Sequence, residues 1–250
     1  FHFLADGVYR YLATGPGSPA WQLVYAYPAP PDIPAWTSRW DLSQYKWTTA
    51  WIGTRHWFCH PQVGLLYYDE FSDEWGFFWD ECWNGPPYAI TQADNRLILL
   101  LEDVVAWSQF DQGDQWGHKW QLGSGAQSLA LIRYGQPYIV LPYNNGWLTF
   151  TSMGVMLSQP NYDQVSHPSG ERLSFGPVVY THEEVTYEHT AIGPTAACHV
   201  DRGGVYWLAR TGFQAFLPSQ GGGFGGMQDW QPVMGKFISE SLLPAAPPMA

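Results

Sequence analysis

The chain is short of charge, of cysteine and of long apolar runs. Only 13% of its 250 residues are charged, about half the usual roughly 25%. Cations are the scarcer kind: 11 Lys and Arg stand against 22 Asp and Glu, a formal charge of −11. Such an acidic balance disfavours sequence-independent nucleic-acid binding, which needs cations to displace the counterions around phosphates. It is compatible with a surface that DNA slides past without sticking. The three cysteines, Cys59, Cys82 and Cys198, cannot form a closed disulfide set. A chain this long buries enough core to need no staple, so they read as buried thiols. Nowhere do about 18 apolar residues follow one another, so no membrane-spanning helix is expected. Phe1 to Leu4 has no basic segment and no cleavage site, so it does not read as a signal peptide.

Uninterrupted stretches are missing too. Twenty prolines and 26 glycines punctuate the chain at short intervals, leaving little room for long helices. What fills the gaps is aromatic and β-branched. Trp (15), Tyr (15) and Phe (13) make up 17% of the residues. That much aromatic surface with so little charge argues against disorder and for burial, partly against neighbouring molecules.

The short apolar runs read as strands: Gly7 to Leu12, Val63 to Tyr68, Arg96 to Leu101, Pro137 to Leu141, Trp147 to Thr151 and Val205 to Ala209. Several come in pairs. Arg96–Leu101 turns through Glu102-Asp103 into Val104–Phe110. Tyr138–Leu141 turns through Pro142 to Gly146, where Asn145-Gly146 readily supplies positive φ, into Trp147–Thr151, and that strand turns at Thr151 to Gly154 into Val155–Leu157. Val205–Ala209 turns through Arg210-Thr211-Gly212 into Phe213–Leu217. Turns near 61–64, 102–103, 144–146 and 210–212 recur at intervals of about 40 residues or more, the length of one four-stranded propeller blade. The fold expected is therefore all-β and β-propeller-like, with about five or six degenerate blades and few short helices. Two β-sandwich domains are the other arrangement the pattern allows. Residues 1–243 read as one domain and 244–250 as a C-terminal arm. The proline-rich Ala26 to Ala35 reads as an extended connection, Ser219 to Gly226 as a flexible loop, and Pro232 to Leu243 as a short helix.

Candidate chemistry fails on context. Gly221-Gly-Gly-Phe-Gly-Gly226 matches G-x-G-x-x-G, but a dinucleotide site needs a helix to open there, and Met227-Gln-Asp-Trp-Gln-Pro232 follows. His56, Cys59 and His60 form H-x-x-C-H, and Cys82 and Cys198-His199 could complete a zinc site in three dimensions. On a strand, however, Cys59 and His60 face opposite ways. Asp69, Glu70, Asp73, Glu74, Asp80 and Glu81 lie among Trp75, Trp79 and Trp83. Paired carboxylates beside aromatic platforms suit glycoside hydrolysis. The same residues equally describe an exposed loop whose tryptophans pack on their own hairpin. Ser124 in Gly123-Ser-Gly125 is not a nucleophile elbow. His182 and His189 read as solvated strand residues. No catalytic, cofactor or metal residue is assigned, and the chain reads as non-enzymatic.

Several units resemble segments of tailed-bacteriophage virion proteins: Trp57-Phe-Cys-His-Pro61 with Gly64-Leu-Leu-Tyr-Tyr-Asp69, Asn95-Arg-Leu-Ile-Leu-Leu100 with Val105-Ala-Trp-Ser108, Gly123-Ser-Gly-Ala-Gln-Ser-Leu-Ala130, and Phe150-Thr-Ser-Met-Gly-Val155. Gly204-Val-Tyr-Trp-Leu-Ala-Arg-Thr-Gly-Phe-Gln-Ala-Phe216 is similar to a hairpin near the end of tail hub, nozzle and DNA-stabilisation proteins, with Thr211 where Asp is customary. The resemblance covers roughly Trp47 to Leu243. It implies a multi-copy structural component of a phage tail, localised to the virion and packed in a homo-oligomeric ring against other virion tail proteins. DNA would pass without specific binding, and host-surface contact is compatible with it. It implies no catalytic residue and no cofactor. Trp36, Trp40, Trp47 and Trp51 would then be interface or ligand aromatics. A carbohydrate- or receptor-binding propeller, stacking sugars on Trp and Tyr, is the alternative function. A glycoside hydrolase working through the Asp69–Glu81 region is the second.

Overall fold

The computed structural model describes residues 1–4, 6–14, 18–27, 44–79, 83, 85–108, 127–131, 133–161, 179–200, 204–217 and 226–229. None of these is α-helical. They form five antiparallel sheets, each a meander in which every strand pairs with the next. Sheet 1 holds β1 (His2–Phe3), β2 (Gly7–Thr14) and β3 (Ser18–Ala26). Sheet 2 holds β4 (Thr48–Ile52), β5 (Arg55–His60), β6 (Gly64–Asp69) and β7 (Glu74–Phe78). Sheet 3 holds β8 (Ala89–Ala93), β9 (Arg96–Leu100), β10 (Val104–Trp107) and β11 (Gln127–Ala130). Sheet 4 holds β12 (Pro137–Tyr143), β13 (Gly146–Thr151), β14 (Val155–Asn161) and β15 (Val179–Thr186). Sheet 5 holds β16 (Ala197–Val200), β17 (Gly204–Ala209), β18 (Gly212–Leu217) and β19 (Gly226–Asp229). The expected all-β class is therefore observed.

The sheets pack face to face in chain order, and side-chain alternation explains how. Arg96-Leu-Ile-Leu-Leu100 is buried along its whole length. Successive side chains leave a strand on opposite faces. Leu97 and Leu99 enter a core with Ile52, Trp57, Cys59 and Leu65 of sheet 2. Ile98 and Leu100 enter a separate core with Val140, Trp147, Met156 and Tyr180 of sheet 4. A strand covered on both faces reads as a continuous apolar run, which is why this segment shows no alternation. The third core joins sheets 4 and 5 through Leu148, Phe150, Val155, Leu157, Val205, Trp207 and Phe216. Each Leu or Ile buried this completely contributes about 1.5–3 kcal/mol. The first strands of the sheets are neighbours as well: β4 lies against β8, β8 against β12, and β12 against β16.

Turn chemistry sets the hairpins. Asp94 (φ 49°) and Asn95 (φ 51°) both take left-handed conformations between β8 and β9, as a two-residue type I′ turn requires. Between β12 and β13 the left-handed residue is Asn144 (φ 51°), not the Asn145-Gly146 pair that the sequence suggests. β12 runs on through Pro142 to Tyr143, tolerable because β12 is an edge strand of its sheet. Gly146 has another job: a Cβ there would collide with the Ser158 carbonyl oxygen of β14. The turn at 144–146 thus joins first to second strands, whereas those near 61–64, 102–103 and 210–212 join second to third. Sheet starts at His2, Thr48, Ala89, Pro137 and Ala197 describe the repeat better.

Other expectations shift in detail. Glu74–Phe78 is a strand, not a loop. Gly226 opens β19 instead of closing a loop. The remainder of that glycine-rich loop, the Pro232–Leu243 segment, residues 244–250 and Ser124 lie outside the described residues, as does most of the proline-rich connection.

Candidate functional site

Sheets 1 and 2 are joined differently from the others, by rings instead of aliphatic side chains. Phe3 meets Trp47 (4.4 Å between centroids) and Phe58 (5.1 Å). Trp75 sits in the middle, against Phe1 (5.0 Å), Tyr68 (5.2 Å), Phe58 (5.3 Å) and Tyr25 (6.1 Å, nearly parallel). Cross-strand register places them. Tyr68 pairs with Trp75 across β6 and β7, so both rings leave the same face of sheet 2. Trp57, Cys59 and Leu65 leave by the other face, into the core with sheet 3.

A polar triangle closes over this layer. Arg10 of β2 donates to Asp73 (2.9 Å) and to the Tyr68 hydroxyl (3.2 Å), and Tyr68 donates to Asp73 (2.7 Å). The Arg10 guanidinium also lies over the Phe1 ring, 5.3 Å from its centroid. Hydrogen bonds from Tyr68 and Arg10 hold the Asp73 carboxyl below the usual carboxylate range, and the same bond pushes the Tyr68 phenol up. Asp73 carries a left-handed backbone (φ 54°) at the last position of the β6–β7 turn. Arg10, Gln22, Tyr25, Asp73, Glu74 and Trp75 border a cleft of about 630 Å³.

The acidic segment resolves into partners. Burial pushes the Asp69 carboxyl up, but hydrogen bonds from Arg55, the Phe71 amide, Thr54 and the Ser72 amide outweigh it and bring it down. Arg55 lies 3.1 Å from Asp69. Glu70 lies 2.8 Å from His56 Nε2, and the His56 ring is stacked on Trp51 at 4.6 Å. A depressed carboxyl pKa is the opposite of what a general acid in glycoside hydrolysis needs. Trp83 is buried in the core between sheets 2 and 3, and Trp79 packs on it. Asp80 and Glu81 lie outside the described residues.

Of the four aromatics assigned to interfaces, Trp36 and Trp40 lie outside the described residues. Trp47 packs inside the chain on Phe3, Tyr27 and His60. Trp51 is 52% exposed, its indole N–H donating to the Gly53 carbonyl (2.8 Å). The surface that the sequence reading missed belongs to sheet 1. Tyr9 pairs with Leu23 and Tyr11 with Trp21, so the four share a face. Tyr11, Trp21 and Leu23 are 51%, 54% and 45% exposed. Alternation along Tyr9-Arg-Tyr11 and Trp21-Gln-Leu23 is the signal that could have found it.

The H-x-x-C-H residues do not converge. Cys59 is buried, its thiol donating to the Pro87 carbonyl (3.4 Å), and burial pushes its pKa far up. His60 faces the other way, onto Trp47. The Gln62 amide donates to His60 Nδ1 (3.2 Å), so Nε2 carries the proton and donates to the Tyr45 carbonyl (3.3 Å). Cys198 is exposed on sheet 5, and Cys82 is outside the described residues. Among the described residues no three His, Cys, Asp or Glu side chains are grouped to hold a metal. His182 is not solvated: its Nδ1 lies 2.8 Å from Ser158 Oγ, and its ring lies beside Trp107 and Trp147 between sheets 3 and 4. His189 Nδ1 lies 2.6 Å from Thr211 Oγ1, at the β17–β18 turn, which Thr211 leaves intact.

No known protein family matches the chain, and no curated protein matches it. Among solved structures, the extracellular domain of a putative hybrid two component system from B. thetaiotaomicron is similar over 75% of this chain, with 13% identity and a TM-score of 0.41. The match spans 23% of that structure's chain.

Proposed function

We propose that the chain is a propeller-like structural and docking domain of a phage tail, of the hub, nozzle or adaptor kind, working in a ring of identical copies. Support for the propeller comes from the repeat of one unit: five meanders in chain order, with the first strands of sheets 2 to 5 adjacent. The hairpins that resemble tail proteins are whole structural units here, β5–β6, β9–β10 and β17–β18.

The observation that carries the docking role is the open face of sheet 1. Its other face is covered by sheet 2, and its Tyr11, Trp21 and Leu23 are about half exposed. Contiguous aromatic surface of this kind marks protein interfaces, where Trp and Tyr act as anchors. The occupant is a neighbouring copy or another virion tail protein. The carboxylate excess, if it faces a lumen, repels DNA and lets it pass.

Sedimentation velocity of the full chain tests this. The expected result is a discrete multimer that Trp21→Asp, on the exposed face, converts to smaller species without loss of β-sheet circular dichroism. A wild-type chain that sediments as a monomer at all concentrations would overturn the ring.

A further inference from the structure

The cleft between sheets 1 and 2 lies largely apart from that assembly reading: of the docking residues, Leu23 also borders the cleft, whereas Tyr11 and Trp21 do not. Its composition is unlike an apolar pocket or a structural seam. One wall carries Arg10, Gln22 and Tyr25, the other Asp73, Glu74 and Trp75. We propose that it is a binding site for a neutral oligosaccharide.

Size comes first. About 630 Å³ falls within the roughly 300–1,000 Å³ typical of small-ligand clefts. The donors and acceptors come next. Sugar hydroxyls are bound by planar groups that take two hydrogen bonds at once, and the cleft offers a guanidinium, two carboxylates and a primary amide. Arg10, Tyr68 and Asp73 already hold one another at 2.7–3.2 Å. The polar fork therefore needs no ordering when a ligand arrives, which lowers the entropic cost of binding. Tyr25 and Trp75, stacked on each other from the two walls at 6.1 Å, add aromatic surface beside the polar fork.

Charge selects within the class. The Arg10 guanidinium is engaged by Asp73 at 2.9 Å, and Glu74 adds a second carboxylate. The cleft thus has one cation against two anions, inside a chain of formal charge −11. Phosphates, nucleotides and sialylated or uronate-bearing glycans meet net repulsion. Neutral hexose and N-acetylhexosamine chains do not.

A glycan array probed with the full chain tests the site, with neutral, sialylated and phosphorylated oligosaccharides side by side and the best neutral hit titrated by calorimetry. Neutral glycans should bind and anionic ones should not. Asp73→Asn keeps a residue that tolerates the left-handed backbone and removes the charged acceptor. It should weaken the neutral hit at least about tenfold, the loss of one charge-assisted hydrogen bond. Glu74→Lys should admit anionic glycans. Trp51→Ala, an exposed aromatic outside the cleft, should change nothing, and Trp21→Asp should leave glycan binding intact even where it breaks assembly. Three results each overturn the proposal: no neutral glycan bound, anionic glycans bound as tightly as neutral ones, or wild-type affinity in both Asp73→Asn and a folded Trp75→Ala. An array that stays blank while the chain still forms its multimer overturns the glycan site and leaves the assembly reading standing.

Discussion

Two histidines show how far the surroundings decide what a residue does. His60 and His182 are both half-buried, and burial lowers the pKa of each below the usual value for histidine. The folded state therefore prefers the neutral rings. Their contribution to stability is complete above the unfolded value, near pH 6.5, and is lost progressively as pH falls from there through the lowered folded values. Asp69 and Asp73 act in a lower window. Their folded pKa values are depressed, so their contribution holds above roughly pH 4 and fades only as pH falls further. The expected outcome is a melting temperature that drops between pH 7 and pH 5, above the window of Asp69 and Asp73. His60→Gln with His182→Gln should flatten that slope, and thermal melts followed by circular dichroism would measure it. Neither environment was legible in the sequence. Nothing local to Thr181-His-Glu183 reveals that Trp107, 75 positions earlier, supplies the neighbouring ring. By contrast, the opposed directions of Cys59 and His60 follow from strand geometry alone.

At the scale of elements, position within the stack decides stability. β9 and β13 are buried along their whole lengths, and each pairs with a strand on either side. β1 has two residues, and β3 is an edge strand carrying the exposed Trp21 and Leu23. Amide exchange should therefore be slowest in β9 and β13 and fastest in β1 and β3, because local opening of the outer strands uncovers little apolar surface. Hydrogen exchange read by mass spectrometry gives this order directly, and equal protection of β3 and β9 would contradict it. A buried polar joint adds to the protection. Arg96, 2% exposed, donates to the Ser108 carbonyl at 2.9 Å and lies near Asp94, which accepts from Tyr180 of sheet 4 at 2.9 Å. The strands with strong aliphatic character were legible before the fold was known. β4, β7, β8 and β16 were not, because their residues are mixed in polarity and acquire strand character only by pairing with stronger neighbours.

For the whole molecule, the charge balance leads to one further expectation. A duplex DNA probe at low salt, about 50 mM, should show no change in fluorescence anisotropy on addition of the chain, since the acidic surface releases no counterions. A complex that forms and then dissolves as salt rises would reveal a cationic patch and contradict passive passage. In the proposed assembly, the same low charge leaves contacts to aromatic surface, such as the exposed Tyr11 and Trp21 of sheet 1.

Strand propensity, turn residues and charge are local properties that survive without a partner, so the β class, the hairpin theme and the scarcity of cations were legible before the fold. The sequence located the β17–β18 hairpin closely for the same reason. Which face of each strand is covered, that Trp47 packs inside the chain while Trp21 stands open, and that Arg10 meets Asp73 across 63 positions emerge with folding. Those outcomes depend on register and on the order in which sheets stack. A shift of one residue in pairing would exchange every covered side chain for an open one.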